Sequence, residues 1–182
     1  MESAIGWINI SIKGTTEEVF SMLKVIHDYT SNKKKNNVWY DYFVLKQKKK
    51  EITQKENGES FAFEALAEDD LLYFATKYNK GLDIEADGPY GHCKKLMDVA
   101  ILRDMAEVAP NATLNASMAC GSPLTNNAQE IESYLHNGLL YIDTYCEDET
   151  LLDDGFEMQM QLCYNPISKE IVSSNPIDAD DE

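Results

Sequence analysis

Hydrophobic and polar residues alternate along much of this chain, and in a few places the period shifts to that of a helix. Ile8, Ile10 and Ile12 alternate with Trp7, Asn9 and Ser11, a half-buried strand that ends at Gly14. Thr15-Thr16-Glu17-Glu18 then reads as a capping box, with the Thr15 hydroxyl and the Glu18 carboxylate each meeting the other residue's backbone N–H. Val19, Phe20, Leu23, Ile26 and His27 follow at helical spacing and predict a helix to about Asp28. A polar stretch over Ser31–Asn37 leads into an aromatic β run at Trp39, Tyr40, Tyr42, Phe43, Val44 and Leu45. Glu56-Asn57-Gly58-Glu59 carries a turn signal, and Phe61, Phe63 and Ala65 alternate after it in a strand-like period.

The acids Glu68, Asp69 and Asp70 suit a helix N-terminus, because they face the positive end of the macrodipole. Leu71, Leu72, Phe74, Ala75 and Tyr78 continue that helix, with Gly81 as its expected C-cap. Leu82, Ile84 and Ala86 predict a strand running into a turn at Asp87-Gly88-Pro89-Tyr90-Gly91. A third helix fits Leu96, Val99, Ala100, Leu102, Met105 and Val108 and stops before Pro110. Ala112, Leu114, Ala116 and Met118 alternate as a strand. Asn137-Gly138 is the residue pair that a type I′ hairpin turn prefers, and it joins Ile131–Leu135 to Leu139–Cys146. Phe156, Met158, Met160 and Leu162 form a further strand, turned by Asn165-Pro166 into a short edge strand at Ile171-Val172. The acidic tail from about residue 176 is expected to fray. So many hairpin-linked strands disfavour a doubly wound parallel sheet. They predict a single α+β domain over residues 1–182, an antiparallel sheet with two to three helices on one face, within which a ferredoxin-like unit fits.

Composition changes this picture mainly through charge. Of 182 residues, 43% are hydrophobic, enough for a folded core, so a net charge of −16 does not signal disorder. No apolar run reaches the length of a membrane span, and none near the start suits a signal peptide, so a cytoplasmic protein of a bacterial host is expected, with no membrane partner. Reduced thiols are then the default for Cys93, Cys120, Cys146 and Cys163. Residues 1–60 hold ten lysines against eight acids, whereas residues 61–182 hold six basic residues against twenty-four acids. From Asp104 to Ser168 there is no Lys or Arg at all. Seven acids fall within fifteen residues of that span: Asp143, Glu147, Asp148, Glu149, Asp153, Asp154 and Glu157.

Exposed acids aid solubility, and that explains any one of them. Their clustering is different, because unneutralised like charges repel and favour a partner of opposite sign. Residues i and i+2 on a strand share a face at about 6.6 Å, close to the roughly 6.8 Å of two steps along a DNA strand. Asp143, Glu147 and Glu149, with Tyr145 between them, are therefore expected to share a face that imitates phosphates. A second patch has the opposite sign. Lys33, Lys34 and Lys35 with Lys46, Lys48, Lys49 and Lys50 flank Trp39, Tyr40, Tyr42 and Phe43, the mixture of cations and rings that suits single-stranded nucleic acid. The plainer alternative is a solvated lysine loop beside core aromatics.

Catalytic signals are weak. His92-Cys93 is the one adjacent His/Cys pair and lacks a second pair nearby. Cys120 has no His or acid partner that the sequence identifies. His27 fits the apolar stripe of the first helix, and His136 precedes the hairpin turn. The acidic cluster lacks the spacing of a calcium loop, no phosphate-binding glycine motif occurs, and Arg103 is the only arginine. These residues predict no catalytic site, no metal and no cofactor.

The length, the acidity, the hairpin-rich acidic half and segments such as Ile131–Glu149 and Phe63–Tyr90 make the chain similar to type II anti-CRISPR proteins, inhibitors encoded by phages and mobile elements. Phe61–Glu85 and Leu96–Cys146 also resemble small ferredoxin-like proteins of such elements. The resemblance implies a non-enzymatic inhibitor that binds a guide-RNA-loaded CRISPR nuclease and interferes with target DNA. The positive DNA-binding channels of such a nuclease would receive the Asp143–Glu157 region. The alternative is a small nucleic-acid-binding protein working through Lys33–Lys50. Edge strands such as Lys169–Ser173 leave room for a homodimer.

Overall fold

Ile8, Ile10 and Ile12 are each at most 3% exposed, whereas Trp7 on the same strand is 40% exposed, so one strand already has a dry face and a wet one. That alternation extends across the sheet in a computed structural model, which describes residues 5–31, 42–89, 100–122, 127–148 and 156–177. The strands are β1 (Ile5–Lys13), β2 (Tyr42–Gln47), β3 (Lys50–Glu51), β4 (Leu82–Pro89), β5 (Thr113–Ser122), β6 (Asn127–His136), β7 (Leu139–Asp148), β8 (Phe156–Asn165) and β9 (Glu170–Ile177). Among the described residues they form one antiparallel sheet in the order β3-β2-β4-β1-β5-β6-β7-β8-β9. Among the described residues three helices accompany them: α1 (Thr16–Ser31), α2 (Glu68–Tyr78) and α3 (Ala100–Val108).

The chain is α+β, and its first part has the interleaving of a ferredoxin-like unit. β1 and β2 are joined through α1 with β4 between them, and β4 and β5 are joined across α3 with β1 between them. β3 and α2 are insertions in that unit. The hairpins β5–β6, β6–β7, β7–β8 and β8–β9 then extend the sheet on the β5 side.

α1 packs between α2 and α3. Val19, Met22, Leu23 and Ile26 of α1 are fully buried, as are Phe74 and Ala75 of α2 and Leu102, Met105 and Ala106 of α3. Beneath them lie Ile84, Ile10 and Ala116, aligned in register across β4, β1 and β5. Each of the buried Val, Leu, Ile, Met and Phe side chains contributes about 1.5–3 kcal/mol by leaving water, so this seam holds the layers together.

The capping box forms as read. The Thr15 N–H donates to Glu18 Oε1 at 2.9 Å, and the Glu18 N–H donates to Thr15 Oγ1 at 3.2 Å. α1 outruns the expected end at Asp28 by three residues. Asn137 and Gly138 have φ of 51° and 78°, the left-handed pair that a type I′ turn needs.

Four local expectations are corrected. Phe61, Phe63 and Ala65 do not form a strand; Phe63–Ala65 is a single 3-10 turn that places Phe63 and Leu66 in the core. Gly81 does not cap α2: Asn79 does, in a right-handed conformation, and Gly81 leads into β4. Asp87-Gly88-Pro89 does not turn, because pairing with β1 carries β4 through to Pro89 opposite Ile5. Ile171-Val172 belongs to an eight-residue strand that runs to Ile177, past the expected start of fraying. At Phe63, at Asp87-Gly88-Pro89 and in β9, burial or pairing overrode a local residue preference. The expected beginning of the third helix at Leu96, and the aromatics Trp39 and Tyr40, lie outside the described residues.

Candidate functional site

The face of the sheet opposite the core is polar and acidic. β4 contributes Asp83 and Glu85, which alternate with the buried Leu82, Ile84 and Ala86. β6 contributes Glu130 and Glu132, both exposed, alternating with the buried Ile131, Ser133 and Leu135. β7 contributes Asp143, next to the buried Ile142. In each pair of acids two residues apart, the carboxylates step along a strand at about 6.6 Å.

Within the fold one of these acids meets a lysine, and two others meet neutral hydroxyl donors. Lys46 Nζ donates to Glu85 Oε2, and that bond holds the lysine pKa above its ordinary value of 10.5. Ser11 Oγ donates to Asp83 Oδ1 at 2.6 Å, and Ser117 Oγ donates to Glu132 Oε2 at 2.7 Å. The pair Glu132 and Asp143 is not neutralised. These two residues stand directly opposite each other in the β6–β7 register, and among the described residues no ion pair reaches either. Like charges directly opposite on paired strands are destabilising, so the fold carries this pair at a cost.

Aromatic side chains share the same face. Trp7 is 40% exposed and Tyr134 is 44% exposed. The Tyr134 and Tyr141 rings are stacked, with centroids 4.7 Å apart and planes 17° apart, as their direct register opposition allows. Beside them a cavity of about 280 Å³ is lined by Tyr134, Tyr141, Asp143, Gln161, Leu162, Cys163 and Ser173.

The expected acidic residues are only partly in view. Asp143 lies on the open face, in line with Glu132 on one side and Gln161 on the other. Glu147 is in β7, opposite Ala128 and Glu157, and Asp148 is opposite Asn127 and Phe156; these are backbone positions, and the side chains of Glu147, Asp148 and Glu157 lie outside the described residues. Glu149, Asp153 and Asp154 lie outside them altogether. Asp83, Glu85, Glu130, Glu132 and the tyrosine pair were not singled out from the sequence. The signal was present as polar residues in antiphase with apolar ones, but strand order was needed to bring β4, β6 and β7 onto one face.

The expected basic patch divides. Lys33, Lys34 and Lys35 lie outside the described residues. Lys46 is tied to Glu85, whereas Lys48 and Lys49 form the tip of the β2–β3 hairpin with φ of 50° and 68°, and Lys50 begins β3. A cavity of about 440 Å³ between this tip and the end of α2 brings Lys48 together with Lys77 and Lys80. Lys77 Nζ also lies 2.6 Å from Glu56 Oε1.

On the other side of the sheet, α3 ends beside a cavity of about 540 Å³ floored by Leu140, Ile142 and Leu162. The Tyr164 hydroxyl donates there to Glu107 Oε1, and burial followed by that bond pushes the phenol pKa up. Among the described residues no three of His, Cys, Asp and Glu gather as metal ligands. His27 packs against the Phe63 ring at 6.0 Å between centroids, and His136 is exposed at the end of β6. His92 and Cys93 lie outside the described residues, and Cys120 is known here only by its backbone position in β5. Among the described residues no helix is long and apolar enough to cross a membrane.

No family model, no curated protein and no solved structure matches the sequence.

Proposed function

We propose that this protein is a non-enzymatic inhibitor whose acidic sheet face docks on the positively charged nucleic-acid-binding surface of a protein partner. The partner that fits the resemblance noted above is a guide-RNA-loaded CRISPR nuclease, with target DNA binding or cleavage as the step blocked. The observation that carries the reading is the Glu132–Asp143 pair, two directly opposed carboxylates retained against their own repulsion. A cationic partner relieves that repulsion on binding. The acids two residues apart on β4 and β6 repeat a phosphate-like step, and exposed Trp7 and Tyr134 supply the aromatic anchors that protein interfaces favour.

The test is a binding assay of the purified chain against guide-loaded and guide-free nuclease over a salt series. The expected result is complex formation that weakens steeply with salt. Reversing Glu132 and Asp143 to lysine, or Asp148, Glu149, Asp153 and Asp154 to lysine, should weaken inhibition at least about tenfold, because each mutant places like charge against the partner. Unchanged inhibition by both variants would rule out the acidic-face mechanism.

The convergence of Lys48, Lys77 and Lys80 on one cavity favours a second reading, direct binding of a nucleic acid strand. That reading requires the protein alone to retard a labelled single strand in a gel, and replacing Lys46, Lys48, Lys49 and Lys50 with alanine to abolish the retardation.

A further inference from the structure

The stacked tyrosines and the Asp143 carboxylate border one cavity, and its chemistry is more selective than the acidity of the surrounding face. Two rows of the sheet meet there. One runs Tyr134, Tyr141, Cys163, Ser173 and the other runs Glu132, Asp143, Gln161, each set in direct register across β6, β7 and β8, with Ser173 continuing the first row onto β9. The Cys163 side chain is 8% exposed and forms a small, apolar part of the lining between Tyr141 and Ser173. Around it stand a carboxylate, an amide and a hydroxyl, all of which accept hydrogen bonds, and among the described residues no Lys or Arg lines the space.

We infer that this cavity receives an arginine side chain from the partner protein. A guanidinium is planar, stacks on an aromatic face and presents its donors in a fork that matches a carboxylate. The tyrosine stack offers the face, Asp143 the carboxylate, and Gln161 and Ser173 further acceptors. Glu132, directly across from Asp143, raises the negative potential and disfavours any anionic occupant, including a nucleic acid phosphate. A lysine ammonium gains the charge attraction but neither the planar stacking nor the fork. The inference rests on the proposed docking of this face on a protein, and it adds which side chain anchors the contact.

The test uses the isotope-labelled full-length protein in low salt, titrated with N-acetyl-arginine amide and, separately, N-acetyl-lysine amide, and followed by backbone amide NMR. The arginine compound is expected to shift Tyr141, Asp143, Gln161 and Cys163 saturably, with a dissociation constant in the millimolar range expected for one side chain. The lysine compound should bind at least about fivefold more weakly. Asp143→Asn should weaken the arginine compound about tenfold, the cost of one charge-assisted contact. Tyr134→Leu should weaken arginine more than lysine, whereas Glu17→Gln, in the first turn of α1 and away from the cavity, should leave both unchanged. Dispersed spectra of each variant establish that it is folded.

Absence of saturable arginine shifts, equal affinity for the two compounds, or full retention of binding by Asp143→Asn would each overturn the assignment. The nuclease assay answers a separate question. Arginine binding without nuclease binding would remove the proposed function and leave this pocket standing, whereas nuclease inhibition unaffected by Tyr134→Leu, with no arginine shifts, would remove the pocket alone.

Discussion

Glu132 and Asp143 stand opposite each other across β6 and β7 with no ion-pair partner among the described residues, an arrangement that costs folding energy. Neutralising either one is expected to stabilise the isolated protein by about 0.5 kcal/mol. Because one repulsion is removed whichever residue changes, Glu132→Gln with Asp143→Asn should gain little more than either substitution alone. Urea unfolding of the four proteins measures this coupling. A loss of stability in Glu132→Gln, whose amide oxygen can still accept from Ser117, would show that the opposition carries no cost.

The box at the start of α1 satisfies two backbone donors with two side chains. Thr15→Ala should cost about 1 kcal/mol, lowering Tm by roughly 2–4 °C in a chain of this size. Thr15→Ser should restore most of the loss, since the hydroxyl is the acceptor. A Thr15→Ala protein that melts with the parent would mean that the helix end is held by packing instead.

Two glycines should respond to alanine with opposite signs. Gly138 has φ of 78°, so Gly138→Ala forces an L residue into the left-handed region and should destabilise by about 1 kcal/mol. Gly81 has no such conformation, and nothing lies within 4 Å of an added Cβ. Gly81→Ala should therefore stabilise by about 0.4–1 kcal/mol by restricting the unfolded chain. Equal effects at the two sites in thermal unfolding would contradict the assignment of Asn79, not Gly81, as the end of α2.

The Lys55–Asp70 ion pair ties the loop before the 3-10 turn to the first turn of α2. Its hydrogen bond, with a second from the Ala67 N–H, holds the Asp70 pKa below the ordinary 3.8. The same bond holds the Lys55 pKa above the ordinary 10.5. A lowered carboxylate pKa stabilises the fold fully above its unfolded value and loses that contribution as pH falls through the lower folded value. A raised lysine pKa stabilises fully below its unfolded value and loses that contribution as pH rises through the higher folded one. The stability gap between the parent and Asp70→Asn should therefore be flat between about pH 5 and pH 9 and close in acid below 3.8. A gap that persists undiminished at pH 2 would assign the effect of the substitution to something other than the charge.

Local rules were legible wherever the chain's own neighbours satisfy them. The Thr15–Glu18 box needs only residues three apart, and the Asn137-Gly138 turn needs only two left-handed residues between strands. The misread segments are those where a distant partner decides. Pro89 stays in β4 because β1 lies alongside it, and Phe63 leaves its alternation for a 3-10 turn that buries its ring in the core.

The site divides in the same way. The acidity of the second half of the chain is a property of its composition, and so is the alternation that sends Glu130 and Glu132 to one side of a strand and Ile131 and Leu135 to the other. Which acids meet, however, depends on strand order and register. Asp83 and Glu132 are separated by two intervening strands, Tyr134 finds Tyr141 through the hairpin, and Cys163 reaches Ser173 only after the chain turns at Asn165. A period of two fixes the face that a side chain takes, because it follows from the backbone of a single strand. The neighbours across that face are fixed by long-range hydrogen bonding between strands, which no local period encodes.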